Sequence, residues 1–155
     1  MTVMAPKNQW ELQKMLEFAV HLGGPCAIRY PKGSAYQGLE EFESPIQYGR
    51  SEVIFEGEEL AVISVGSMTE VCEAVCKELK ERGRKPTFVN ARFVKPLDTA
   101  LLDALAGNHK LIVTEEENVR NGGESTSDRC LEPFCRAWRN PKSAGKDWSV
   151  STGYP

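Results

Sequence analysis

Three short stretches hold the residues whose types could do chemistry. In CAIRYPKGSAY, residues 26–36, the apolar run Cys26, Ala27 and Ile28 gives way to Arg29, Tyr30, Pro31 and Lys32. A guanidinium grips a phosphate through paired N–H groups, and a lysine attracts one as a point charge. Arg29 and Lys32 are therefore candidates for holding an anion. The plainer alternative is a strand leaving its sheet. In NARFVKPLD, residues 90–98, Arg92 and Lys95 fall between a strand and a helix. That is the carboxyl edge where open α/β sheets take ligands. We favour a structural reading, in which Pro96 and Asp98 set the helix entry and Arg92 pairs with a carboxylate. In TEEENVRNGG, residues 114–123, Glu115, Glu116 and Glu117 are adjacent. Three carboxylates suggest acid/base work or a metal, but the only histidine near them in sequence is His109. We read them as partners for Arg92 and Lys95, or as contacts across a subunit interface.

Other candidates are weaker. Gly66-Ser67 follows an apolar run, where a dinucleotide fold would place phosphate, but G-x-G-x-x-G and the Walker lysine are both missing, so a structural turn is expected. Histidine occurs only at 21 and 109, and no Ser-His-Asp arrangement is assigned. The cysteines at 26, 72, 76, 130 and 135 are odd in number and match no common zinc spacing. Cys72 and Cys76 share a helical face and read as small core residues. No catalytic residue and no metal ligand is assigned.

The elements that must position these residues follow from periodicity. A helix starts at Lys7 or Asn8 after Pro6, with Leu12, Met15, Leu16 and Ala19 on one stripe, and ends at Gly23-Gly24-Pro25. Cys26 to Tyr30 reads as a strand stopped by Pro31. One helix and one strand cannot bury a core. Residues 1–36 are therefore expected to complete a domain whose earlier part is missing, or to pack on their neighbour. Residues 37–45, QGLEEFESP, read as a linker. A second unit runs over 46–155. Ser51–Phe55 and Leu60–Val65 are expected to form a hairpin across Glu56–Glu59. The run LAVISV does not alternate, as in a strand covered on both faces. Ser67 and Glu70 suggest a capping box for a helix with Met68, Val71, Cys72, Val75 and Leu79 on its apolar stripe, closed by Gly83. A strand at Thr87–Val89 follows. Asp98 caps a helix carrying Leu101, Leu102 and Leu105 to about Gly107. Leu111–Val113 is a third buried strand and Trp148–Ser151 a fourth. Strands alternating with helices predict an α/β, three-layer fold with a mostly parallel sheet and an antiparallel edge strand.

Composition sets the limits. The chain has 155 residues, 41% hydrophobic and 26% charged, enough for a good core. A net charge of −3 argues against a general nucleic-acid binder, which needs a basic face. No apolar run is long enough to cross a membrane, and residues 1–20 carry Lys7, Glu11, Lys14 and Glu17 where a signal peptide would be apolar. A cytoplasmic location is expected.

Taken together and in order, TVMAPKNQWEL (2–12), AIRYPKG (27–33), PIQYGRSEVIFEG (45–57), NARFVKPLD (90–98) and TEEENVRNGG (114–123) are family-specific. The chain resembles the C-terminal part of the 1-deoxy-D-xylulose-5-phosphate synthase family, a transketolase-like, thiamine-diphosphate-dependent group. The resemblance implies that residues 1–36 end a pyrimidine-binding domain, and that 46–155 form a transketolase C-terminal-like domain, truncated at its C-terminus. It implies an enzyme that condenses pyruvate with glyceraldehyde 3-phosphate, using thiamine diphosphate and Mg2+ in a homodimer. It further implies that Arg29 contacts the phosphate of a small phosphorylated substrate. Lys32 stands where the family more usually has arginine. The cofactor-binding motifs of the family lie upstream, so this piece is expected to bind no cofactor and to be inactive alone. Gly123-Glu124-Ser125 departs from the family's glycine pattern, and Pro133 falls inside its expected final helix. The competing reading is a stand-alone α/β small-anion-binding or regulatory module.

Overall fold

The computed structural model describes residues 1–117. The expectations for Gly123, Pro133, Cys130, Cys135 and Trp148–Ser151 lie outside the described residues.

The described elements run β1 (Thr2–Met4), α1 (Gln9–His21), β2 (Cys26–Ile28), β3 (Glu52–Phe55), β4 (Glu59–Val65), α2 (Met68–Glu81), β5 (Thr87–Asn90), β6 (Phe93–Lys95), α3 (Thr99–Asn108) and β7 (His109–Glu116). They form a four-stranded sheet in the order β3-β5-β4-β7 and a three-stranded sheet in the order β2-β1-β6. In the larger sheet β4 is parallel to both β5 and β7, and β3 lies antiparallel at the edge. The expected fold class is thus the observed one.

Side-chain alternation along β4 separates two cores. Ala61, Ile63 and Val65 face α3 with Val89, Leu102 and Leu105, while Val62 faces α2 with Cys72, Cys76 and Phe88. Residues 61–65 are buried throughout, which is why the run carries no polar alternation. Each helix closes by local chemistry. Asn8 accepts from the Glu11 amide at 2.9 Å, and Asp98 from the Leu101 amide at 3.2 Å. Gly83, at φ +77°, ends α2 with bonds from its amide to the Lys80 carbonyl and from the Arg84 amide to the Leu79 carbonyl, a Schellman pair.

Several expectations are corrected. No hairpin joins β3 to β4, because β5 inserts between them; β3 pairs with β5. Ser67 makes no side-chain cap on α2, since its hydroxyl is engaged elsewhere, with Glu117. The buried face of α2 is Thr69, Cys72 and Cys76, whereas Val71 and Val75 are exposed. Leu16 of α1 is likewise exposed; Met15 and Glu11 face inward. Among the described residues β7 is only half-buried, with Leu111 exposed. The stretch 37–45 is no free tether, since Leu39 is buried in the α2-side core with Phe42 packed against it. Two strands, β1 and β6, carried no sequence signal at three residues each.

The packing also holds a buried ionic cluster. Arg92 Nε donates to Glu11 Oε1 at 2.6 Å, and its Nη2 donates to Glu52 Oε1 at 2.8 Å. Lys7 Nζ donates to Glu52 Oε2 at 2.5 Å and to the Phe42 carbonyl at 2.7 Å. Asn90 Nδ2 donates to both oxygens of Glu11. All five residues are buried, and the cations and carboxylates balance in number. Arg92 sits at φ +55°, a left-handed conformation that is costly for a residue with a Cβ. Its guanidinium is also fixed by the Ser44 and Pro45 carbonyls, and these contacts together over-determine the conformation.

Two outcomes follow for stability. Removing one partner leaves an uncompensated buried charge, so Glu11→Ala should cost about 3–5 kcal/mol in a urea unfolding experiment; a loss under about 1 kcal/mol would contradict the cluster's role. Burial pushes the Glu52 carboxyl up, but hydrogen bonds from Lys7 and Ser44 and the charges of Arg92 and Lys7 outweigh it, and the pKa lies below the usual value. A depressed carboxyl contributes stability that is fully present above its unfolded pKa, about 4.3. That stability is lost as pH falls through the folded value. The urea midpoint should therefore fall on acidification below about pH 4.3, less steeply in Glu52→Gln.

Candidate functional site

The carboxyl ends of β4 and β7 lie side by side, with Val65 opposite Glu116 in the ladder. From β4 the chain passes through α2 to β5 on one side, then through α3 to β7 on the other. The order of strands reverses there, and such a point opens a crevice beyond the strand ends. A cleft of about 340 Å³ occupies it, lined by Ala5, Arg29, Tyr30, Pro31, Val65, Gly66, Ser67 and Glu117.

Each wall is fixed by backbone geometry. The amide of Arg29 donates to the Met4 carbonyl at 2.8 Å, continuing the parallel β1–β2 pairing by one bond. The sequence expectation extended the strand to Tyr30, but it ends at Ile28. Gly66 turns the chain at φ +58°, and a Cβ there would meet the Ala5 Cβ at 3.2 Å. A side chain at 66 would both strain the turn and press on the first segment.

Arg29 Nη1 donates to Glu116 Oε1 at 2.6 Å. The arginine side chain is 36% exposed and that of Glu116 only 6%. Ser67 Oγ donates to Glu117 Oε2 at 2.9 Å. The cleft therefore carries one guanidinium flanked by carboxylates. Such a site can hold an anion, and it is not the basic groove that a polyanion needs.

The sequence candidates thus part company. Arg29 lies in the cleft. Lys32 is exposed and is not among its lining residues. Arg92 is buried in the ionic cluster, which agrees with the structural reading, but its partners are Glu11 and Glu52, and Glu116 pairs with Arg29 instead. Lys95 is exposed at the end of β6. His21 Nδ1 lies 2.8 Å from the Glu17 carbonyl at the exposed end of α1. His109 bridges the Thr87 hydroxyl and the Leu105 carbonyl. Glu116 was read from sequence as a partner for an arginine, and the arginine it meets is 87 residues away, a separation that no local pattern reveals. Among the described residues no group of three or more His, Cys, Asp or Glu could hold a metal ion. Nor is any helix among them long and apolar enough to cross a membrane.

A family model described as "Transketolase, C-terminal domain" matches residues 49–127. The chain is 50% identical over 123 residues to a 1-deoxy-D-xylulose-5-phosphate synthase of Lachnoclostridium phytofermentans, covering 79% of this chain and 20% of the relative. It is 42% identical over 139 residues to the enzyme of the same name from Prochlorococcus marinus, covering 84% and 22%. With that from Syntrophus aciditrophicus it shares 46% identity over 125 residues, covering 79% and 19%. The chain thus spans about a fifth of the length of these relatives. Among solved structures it is similar to a "Split gene transketolase, inactive beta4 tetramer", with TM-score 0.70 and 26% identity, covering 76% of this chain and 39% of that one.

The cysteines of α2 take no part in the cleft. Burial pushes the thiol of Cys72 up to about 12 and that of Cys76 up to about 11. The thiolate is the reactive form. Iodoacetamide at pH 8 should leave both unlabelled in the native chain and label both in urea, as read by peptide mass mapping. Native labelling of either would contradict the core assignment.

Proposed function

This chain belongs to the transketolase C-terminal domain family, and from that premise we propose that it works as part of a 1-deoxy-D-xylulose-5-phosphate synthase. That enzyme joins pyruvate to glyceraldehyde 3-phosphate, with loss of carbon dioxide, to give 1-deoxy-D-xylulose 5-phosphate. The described portion supplies the phosphate-facing wall of the substrate site, with Arg29 as the contact. Residues 1–36 are assigned to the end of the pyrimidine-binding domain, 37–45 to the connection and 46–155 to the transketolase C-terminal-like domain. A homodimer in the cytoplasm completes the assignment.

The observation that carries this reading is the place of Arg29. It belongs to the AIRYPKG stretch and lies at the switch-point cleft, on a main chain pinned to β1. A guanidinium held at a rigid strand end can grip phosphate oxygens through paired N–H donors. Tyr30 and Ser67 line the same cleft.

The thiamine diphosphate and Mg2+ of the proposed enzyme do not fit the described residues. Among them no group of three or more His, Cys, Asp or Glu could hold the Mg2+, and the one guanidinium of the cleft, Arg29, is assigned to the substrate phosphate. Both groups are assigned to other parts of the longer protein. What the described residues do is bind and orient the phosphate end of the aldehyde substrate.

In the intact synthase, Arg29→Ala should raise KM for glyceraldehyde 3-phosphate about ten- to hundredfold, the loss of a charge-assisted hydrogen bond of about 1.5–3 kcal/mol. The affinity for thiamine diphosphate should stay unchanged; equal loss of both would count against a phosphate role. The 155-residue chain alone, supplied with both substrates, thiamine diphosphate and Mg2+, should form no product. Turnover by it would show that the chain holds catalytic parts the reading places elsewhere.

A further inference from the structure

We propose that Glu116 is the positioning residue for Arg29: it sets the plane of the guanidinium at the cleft while leaving donors for an anion. The inference rests on the assignment of Arg29 as a phosphate contact and adds a second residue to it.

Glu116 is well placed to act as a fixed reference. It is the last residue of β7, and its ladder partner Val65 belongs to the fully buried run of β4. Its side chain is 6% exposed, so its carboxylate has little freedom to swing into solvent. Arg29, by contrast, has a long side chain on a short strand end and is more than a third exposed. Such a side chain gives up rotamer freedom when it grips a ligand, unless the protein fixes it in advance. The 2.6 Å bond from Nη1 to Glu116 Oε1 does so, and it uses one terminal nitrogen. The guanidinium has five N–H donors in a planar fork, so holding it at one nitrogen defines the direction of the others.

The same carboxylate has a second effect. It offsets the positive charge of Arg29, which lowers the attraction of the cleft for any anion. A merely competing carboxylate and a positioning one therefore predict different outcomes for two substitutions. Glu116→Gln keeps an oxygen acceptor and removes the charge. Glu116→Ala removes both.

The test is a titration of the 155-residue chain with inorganic phosphate, followed by NMR at the Arg29 Nε–Hε group, for the native chain, Arg29→Ala, Glu116→Gln and Glu116→Ala. Glu116→Gln should bind phosphate about two- to fivefold more tightly than the native chain, the size expected for removing one charge that opposes the anion at a partly solvent-screened guanidinium. Glu116→Ala should bind more weakly than Glu116→Gln, and the heteronuclear NOE of Arg29 Nε should fall in it even without phosphate. Equal affinity in the two variants would overturn the proposal, making Glu116 a competing charge only. Phosphate binding that survives Arg29→Ala, or is absent from the native chain, would refute the phosphate reading itself. The positioning claim is then judged by the phosphate-free NOE alone. A low NOE in the native chain overturns it whether or not Glu116→Ala folds.

Discussion

Four charges buried together, Lys7, Glu11, Glu52 and Arg92, are the constraint on which the rest of the structure depends. A lone ion of this kind could not be taken from water into the interior without a cost of several kcal/mol or more. Each must find its partners at the moment it is buried. The partners come from far-separated stretches: Lys7 and Glu11 from the start of the chain, Glu52 from β3, Arg92 from the turn after β5. The first segment and the four-stranded sheet are therefore bound to each other by electrostatics as much as by apolar contact. The Ser44 and Pro45 carbonyls and the Ser44 hydroxyl are drawn into the same network, so the stretch 37–45 is held against the sheet at its far end.

That coupling reaches the cleft through the backbone. Fixing Lys7 and Glu11 fixes the start of α1 and, just before it, β1, which pairs with β2 on one side and β6 on the other. β2 delivers Arg29 one residue past its end. On the opposite wall, β4 and β7 deliver Gly66, Ser67 and Glu116 from the larger sheet. The two walls belong to different sheets, and their relative position is set by the ionic cluster, by β6 pairing with β1 and by the approach of Gly66 to Ala5. An arginine meeting a glutamate across the cleft is the result of that registration, and it could not be maintained by either sheet alone.

Much of this fold was legible from residue patterns, because the relevant signals are local. The unalternated LAVISV run marked a strand covered on both faces, Asn8 and Asp98 marked helix starts, and Gly83 marked a helix end, each for a reason confined to a few residues. What escaped the sequence is non-local or too short. The three-residue strands β1 and β6 offer no period to detect. The β3–β4 hairpin was the natural reading of two strands separated by a short turn, and only the insertion of β5 overrules it. The inward face of α2 was misplaced because its two valines looked like core and its threonine did not, whereas Thr69 satisfies its hydroxyl against Ser64. For the site, the sequence named Arg29 and the three glutamates, but Glu116 pairs with Arg29 rather than with Arg92 or Lys95.

That misassignment says something about the RFVKPLD stretch. Its arginine stands at a sheet edge beside a lysine, where an anion is conceivable but pairing with a carboxylate is the favoured reading. Burial bears out that pairing: Arg92 is 2% exposed and its guanidinium nitrogens bond to carboxylates and carbonyls of the protein itself. Arg29, by contrast, retains exposure and a cleft. A guanidinium whose three nitrogens all bond within the protein, as those of Arg92 do, locks a fold, whereas one held at a single nitrogen, as Arg29 is, keeps donors for a ligand. The two arginines divide these tasks. The one in the interior fixes the frame, and the one at the strand end depends on that frame for its aim.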